Sequence, residues 1–399
     1  MSLFKARKIT GATGTELPNF TNGFNISGAD SGISGFTHTV NDTEPSNPSN
    51  GDTWWSETAN EYKVYANGAW QTLIGTSSGG GGSASDLKFY GDRGFKMGRA
   101  TSQGSAVSGQ YIGYWDITTL GNSAEFGALH KTMHEGSAVS DESNYVYSFQ
   151  SSSFPDNREI SYFVSTTLGN GSDYGDMVIE SVRGGAVSNA TKGVIANGYK
   201  TQSGNAVVNS IEKITLNGTG ANASDFGDLT VGRQGPASFG NGIRGLFAGG
   251  FDGTTGGTSS VYSNIIDYIT IATDGNATDF GDAVSVKYRC GGAASGDRGI
   301  YAGGYQNLPA GTYSITNEID YVSIPTAANA QDFGDLLAAN QSLGACANST
   351  RVVFVGGFLS ASPTDVMQYV TIDTTGNAQD FGDLEAAQYE QYCASAAAS

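Results

Sequence analysis

One nonapeptide theme constrains this chain more than any other feature. It appears as "TTLGNSAEFGAL" from 118, "TTLGNGSDYGDM" from 166, "GTGANASDFGDL" from 218 and "ATDGNATDFGDA" from 272, then as "TAANAQDFGDL" from 326 and "TTGNAQDFGDL" from 374. Its aromatic falls at Phe126, Tyr174, Phe226, Phe280, Phe333 and Phe381, spaced 48 to 54 residues apart. A unit of this length cannot bury an apolar face alone and must stack on its neighbours. Gly accounts for 58 of the 399 residues, twice the usual share of ~7%, and each Gly costs a helix about 1 kcal/mol relative to Ala. Periods near 50 with Gly punctuation belong to propeller blades rather than helical solenoids.

Each unit dissolves into four strands. Before the DFGD string stands an alternating segment, as in "SIEKITL" at 210, "IIDYITI" at 265 and "EIDYVSI" at 318. Alternation with period two marks a half-buried strand. Upstream comes a more apolar strand closing on glycines, "RGLFAGG" at 244, "RGIYAGG" at 298 and "RVVFVGG" at 351. Upstream again is a run of small residues, such as "GGAAS" at 291 and "GACAN" at 344. Small side chains suit the innermost strand, where backbones converge on an axis. The order is inner strand A, apolar strand B, alternating strand C and outer strand D.

Counting reveals an asymmetry. "GDRGFKMGR" at 91 is a B strand with no A strand before it, whereas "QYCASA" at 391–396 is an A strand with nothing after it. The sequence therefore predicts six blades, one of them closed by strands from both ends of the repeat region, with Tyr392–Ser395 beside residues 93–97. In this reading Cys393 takes the place that Cys346 holds in "GACAN". Alternating strand directions put the monotonous C–D turns on one face and the variable B–C loops on the other, and variable loops on a rigid scaffold are where recognition concentrates. Tyr262, Tyr305, Tyr313 and Asp252 on those loops are the candidate recognition residues.

Before the repeats the chain changes character. Residues 1–40 read as an extended anchoring arm and 76–85 as a Gly/Ser linker. Between them, 41–75 form a small aromatic β-module around "GDTWWSETANEYKVYANGAWQTL", with a hairpin turn at Asn67–Gly68. Three short strands there are too few to stand alone, so Trp54, Trp55 and Trp70 are candidate assembly contacts. The propeller itself runs from 86 to 399.

The A-to-D order with a glycine pair ending strand B resembles the kelch-type β-propeller, although the outer strand carries Phe or Tyr where kelch blades carry Trp. The aromatic module resembles those of tailed-phage fibre and virion proteins, and the GNAxDFGDL repeats resemble structural proteins of marine cyanophages. The resemblance implies a noncatalytic virion component, a fibre, tail appendage or capsid decoration. It would be assembled in a host cytoplasm, present in several copies, bound to other virion proteins through its N-terminal region, and would touch a host surface glycan or protein with its head. The alternatives are a carbohydrate-active propeller enzyme on host polysaccharide and a secreted adhesin.

Composition excludes other classes. A formal charge of −18 argues against nucleic-acid binding, which needs clustered Lys and Arg, and no stretch of 18 apolar residues is present to insert in a membrane. Cys290, Cys346 and Cys393 lack metal spacing. Catalytic residues are expected to be none, as are cofactors. Ca²⁺ is the one metal weighed, at the pairs Asp225 with Asp228, Asp279 with Asp282, Asp332 with Asp335, and Asp380 with Asp383; two carboxylates per blade fall short of the six to eight oxygens calcium takes, and turn aspartates more often bond backbone amides. Arg93, Lys192, Arg244, Arg298 and Arg351 open the B strands and are expected to pair with these aspartates. His130 and His134, with Glu135, read as a solvated loop rather than a metal site. No Arg cluster is visible on the B–C loops, where Asp156, Arg158 and Asp252 stand apart.

Overall fold

The computed structural model describes residues 38–40, 45–48, 52–56, 61–66, 69–75, 91–98, 109–133, 135–141, 144–149, 158–200, 206–216, 218–253, 262–308, 312–389 and 392–396. Every regular element among them is a strand. The chain divides into two units, Met1–Gly82 and Ser83–Ser399.

The first unit holds one four-stranded sheet, a strand more than the three expected. His38–Val40 pairs in parallel with Thr53–Trp55, and Thr53–Ser56, Glu61–Ala66 and Ala69–Gly75 follow as an antiparallel meander. The Ala66–Ala69 pair leaves a two-residue connection, which lies outside the described residues together with the linker and residues 1–37. Trp54 is buried, with the Trp70 ring 5.6 Å away edge-on and Lys63 5.1 Å above its face.

The second unit is a six-bladed β-propeller. Blade 2 comprises Ser137–Ser140, Tyr145–Phe149, Glu159–Val164 and Ser172–Asp176; blade 3 comprises Gly185–Ser188, Lys192–Ala196, Ser210–Thr215 and Ser224–Asp228. Blade 4 runs through Ala237–Gly240, Arg244–Ala248, Ile265–Thr270 and Thr278–Asp282, and blade 5 through Gly291–Ser295, Arg298–Ala302, Glu318–Ser323 and Gln331–Asp335. Blade 6 is Gly344–Ala347, Arg351–Val355, Thr364–Thr371 and Gln379–Gln388. Blade 1 joins Tyr392–Ala396 to Arg93–Met97, Tyr111–Asp116 and Ala124–Ala128. The ring therefore closes as the repeat count requires, and the inner strands pack on one another in cyclic order. Tyr392 fastens the seam, its buried hydroxyl 2.9 Å from Ser148 Oγ of blade 2.

The register corrects one detail of that closure. Cys393 lies opposite Lys96, whereas Cys346 lies opposite Val353, the equivalent of Phe95. The true counterpart of Cys346 is Ala394, one residue on. A one-residue slip moves a side chain to the other face of a strand, so the two thiols occupy opposite sides of equivalent strands.

The DFGD string owes its form to a bulge. In all six blades the pairing of strands C and D shifts at the same place, for example between Ile211 and Glu212, so that Phe226 is the extra residue on strand D. A bulge bends the strand and re-aims its side chain, and here the aromatic turns inward, 2–4% exposed at all six positions. The following glycine lies against the next blade. A Cβ on Gly334 would come within 2.4 Å of Gly376 O, and one on Gly227 within 2.4 Å of Gly275 O. Each C–D turn docks there through its Asn: Asn276 Oδ1 accepts from Asp228 N–H, Asn329 from Asp282, Asn377 from Asp335, and Asn122 from Asp383 across the seam, all at 3.0–3.1 Å. The string is thus a socket for the neighbouring "GNA" turn.

The cations that open the B strands do not meet the DFGD aspartates, contrary to expectation. Arg298 Nη1 donates to Ile372 O at 2.7 Å, Arg351 to Thr118 O at 2.8 Å, Arg244 to Pro325 O at 2.8 Å and Arg93 to Ser165 O at 2.8 Å. Each reaches the C–D corner of the next blade, where strand-end carbonyls lack ladder partners, while its guanidinium covers the tyrosine of its own strand C at 4.8–5.3 Å. Lys192 alone finds a carboxylate, Asp274 in a C–D turn, which it shares with Lys213.

Charge is also buried between loops and strands. Arg233 and Asp267 pair at 2.9 Å with neither side chain exposed, and Asp267 further accepts from Thr230 Oγ1 at 2.6 Å. Lys287 and Asp320 pair at 2.8 Å in the equivalent place of blade 5. Glu212 binds the Val178 and Ile179 N–H groups, both at 2.7 Å. In blades 3, 4 and 5 strand C thus anchors the D–A connection that arrives from the preceding blade.

Candidate functional site

The D–A connections meet around the axis on the face that carries the B–C loops. Two residues before each inner strand stand Glu135, Arg183, Gly235, Arg289 and Ser342, one per blade from 2 to 6. They form a girdle of backbone bonds: Arg183 N–H donates to Glu135 O at 2.7 Å, Gly235 to Arg183 at 2.7 Å, Arg289 to Gly235 at 3.0 Å and Ser342 to Arg289 at 2.9 Å. All five lie in the left-handed region, with φ of 54° to 63°. Only Gly adopts it freely; each L side chain there costs roughly 1–2 kcal/mol. Four of the five described non-glycine residues with positive φ are gathered in this one girdle. Strain of this kind persists where surrounding structure enforces it, commonly at sites of function.

The side chains converge over the axis. Glu135 Oε1 accepts from Arg183 Nε at 2.7 Å and from Arg289 Nη2 at 3.0 Å, and Arg183 Nη2 lies 2.6 Å from the same oxygen. Glu135 enters blade 2 and Arg289 enters blade 5, three blades apart in a ring of six, so their bridge crosses the full diameter of the mouth. Arg183 Nη1 also donates to Gln234 Oε1 at 3.0 Å, and Arg289 Nε to the Tyr288 hydroxyl at 3.0 Å. Below the bridge a narrow channel descends between the inner strands, lined by small side chains such as Ala138, Ser188, Ser238, Ala293 and Ala345, with Cys346 and Cys393.

Beside the mouth lies an aromatic shelf. The rings of Phe251, Tyr262 and Tyr288 contact one another at centroid distances of 5.2–5.9 Å, and the Arg289 guanidinium stands 5.3 Å from the Tyr288 ring. Tyr305 exchanges both backbone bonds with Tyr288, and its hydroxyl accepts from Gln341 Nε2 at 3.1 Å. Two of the candidate recognition residues, Tyr262 and Tyr305, are thereby brought together through Tyr288. Both are half-buried rather than freely exposed. Asp252 is exposed next to Phe251. Tyr313 lies in the Thr312–Ile315 strand, paired with Asn307 in a hairpin that rises from the same face.

Other candidates are placed elsewhere. His130 Nδ1 lies 2.8 Å from Glu159 Oε1, and Lys131 Nζ 2.5 Å from Glu159 Oε2, so this loop is tied to strand C of blade 2. His134 and Asp156 lie outside the described residues, whereas Arg158 is exposed in the turn before Glu159–Val164, its carbonyl accepting from Met177 N–H at 2.6 Å. Among the described residues no group of three or more His, Cys, Asp or Glu is arranged to hold a metal ion. Asp225, Asp279 and Asp332 are exposed on the outer strands. The three thiols are free, and burial pushes that of Cys290 up to about 12.

The arginine cluster that the B–C loops lacked is supplied by the D–A loops. Its signal in the sequence was faint: a fixed offset of two residues before each inner strand, occupied by Glu, Arg, Gly, Arg and Ser. Comparison with protein-family models matches none of them, and comparison with curated proteins finds no similar sequence. The class that the fold defines is the six-bladed β-propeller.

Proposed function

We propose that this chain is a noncatalytic virion structural protein that displays its propeller for contact with a host surface or a neighbouring subunit, as a fibre, tail appendage or capsid decoration. The observation that carries the reading is the polarity of the ring. Strand Arg93–Met97 begins, and strand Tyr392–Ala396 ends, on the face of the uniform A–B and C–D turns. The chain therefore enters and leaves the propeller opposite the variable loops, the arched mouth and the aromatic shelf. A head held from one face and varied on the other suits display, and several copies would multiply weak contacts into useful avidity. The resemblance of the aromatic module to phage fibre modules supports the virion setting, with anchoring through residues 1–85.

The test combines a glycan array with product analysis on host envelope polysaccharide. Binding without shortening of the polymer is expected, and release of shorter chains would establish the carbohydrate-active enzyme instead. Deleting residues 1–85 is expected to leave a folded propeller that no longer incorporates into particles. Unchanged incorporation would refute the anchoring role.

A further inference from the structure

We propose that the axial mouth is a binding site for a sugar bearing a carboxylate, held by Arg183 and Arg289 with its ring against the Tyr262–Phe251 shelf. The inference deepens the display reading and rests on it, since it takes the variable face as the face of recognition.

Three observations converge. First, two guanidinium groups point at one carboxylate oxygen on the axis, at 2.6–3.0 Å, while their side chains remain 24% and 18% exposed. A guanidinium fork matches a carboxylate in shape and charge, and the Glu135 carboxylate already shows what chemistry the pair accepts. Secondly, side chains are kept at left-handed positions where glycine would be cheaper, and Gly235 shows that the girdle tolerates glycine. A girdle needed only for closure would not require arginine at two of these sites. Thirdly, polar and aromatic groups adjoin: the Tyr288 hydroxyl bonds Arg289, and Phe251 and Tyr262, both half-buried, flank Tyr288. Aromatic faces carry negative quadrupole density and pack against the C–H face of a pyranose, while nearby donors fix its orientation.

The incoming carboxylate would compete with Glu135 for the guanidinium groups. This gives the proposal an unusual signature, because weakening the internal ligand should strengthen the external one. Calorimetry of the full chain with sodium glucuronate, glucose and sodium acetate tests it. Glucuronate is expected to bind more tightly than either glucose or acetate, with affinity falling as NaCl is raised. Arg289→Ala should weaken glucuronate binding at least tenfold, a hydrogen bond to a charged group being worth about 1.5–3 kcal/mol, Arg289→Lys should weaken it less, and Glu135→Gln should strengthen it. The gain with Glu135→Gln cannot arise from loss of folding, so a damaged variant cannot imitate it. Glucose or acetate binding as tightly as glucuronate overturns the proposal, as does absence of glucuronate binding or an affinity indifferent to both substitutions. Retained attachment of Arg289→Ala to host cells, with glucuronate binding abolished, would detach this site from the display function without harming the latter.

Discussion

Removing the carboxylate of Asp267 is the sharpest test of how the blades are tied to their connecting loops. Arg233 and Asp267 are both fully buried, 2.9 Å apart, and the guanidinium has further bonds only to backbone carbonyls, Phe247 O at 3.0 Å and Val231 O at 3.5 Å. Burial holds the Arg233 guanidinium below its ordinary pKa against the pull of Asp267. Asp267→Ala leaves that charge in a dry site without a counter-ion, and breaking a buried pair in this way costs about 3–5 kcal/mol. For a ring of about 300 residues, with an unfolding entropy of roughly 0.6 kcal/mol/K, the melting temperature should fall by roughly 5–8 °C. The companion experiment replaces both partners, Arg233→Met with Asp267→Leu. Buried pairs exchanged for apolar residues of similar volume are often neutral or stabilising, so the double variant should recover most of the loss. Urea unfolding of the wild type, both single variants and the double variant completes the cycle. A loss below about 1 kcal/mol for Asp267→Ala, or a double variant no better than the sum of the singles, would refute the claim that the pair matters as a pair.

Other expectations concern the repeats. Gly334→Ala drives a methyl group into Gly376 O and should lower stability by more than 2 kcal/mol, whereas Asn377→Ala, which only removes the acceptor for Asp335 N–H, should cost about 1 kcal/mol; equal urea midpoints for the two would contradict the socket description. Arg298→Ala forfeits the Ile372 bond and the Tyr321 ring contact and should cost roughly 1–3 kcal/mol, read from thermal melts, while Asp332→Ala and Asp335→Ala do not reproduce that loss. Burial raises the Glu212 carboxyl above its ordinary 4.5, against the pull of its amide partners. The folded state therefore holds more protons than the unfolded one between the two values, and stability falls as pH climbs through that window. Urea midpoints for wild type and Glu212→Gln should diverge with that slope from pH 4.5 upward, and parallel curves would remove Glu212 from the account.

What the sequence disclosed depended on whether a repeat imposed it. The strand order and the missing inner strand follow from residues that recur at a fixed offset, and Tyr392 meets Met97 where the count demands. Cys393 was misplaced by one because small-residue strands look alike in either register; only pairing with Lys96 separates them. The partners of Arg298 and Arg351 were misread for a different reason: a carbonyl on the next blade leaves no trace in the letters, whereas an aspartate invites pairing on paper. The bulge at Phe226 was hidden because it interrupts an alternation rather than a composition. At the mouth, Glu135, Arg183 and Arg289 share a backbone conformation but no residue type, so a search for motifs passes over them.

The seam between Arg93–Met97 and Tyr392–Ala396 has a temporal side. The strand that completes blade 1 follows the strand it pairs with by about 300 residues of chain. At ribosomal speeds of 5–20 residues per second, roughly 15–60 s separate their synthesis. Through that interval the unpaired edge of Arg93–Met97 is a template for any extended segment that meets it, and contacts of such long sequence separation are the slowest to form. The molecule must pass its youth as an open fan, with its most reactive border shielded by a chaperone, by speed or by low concentration.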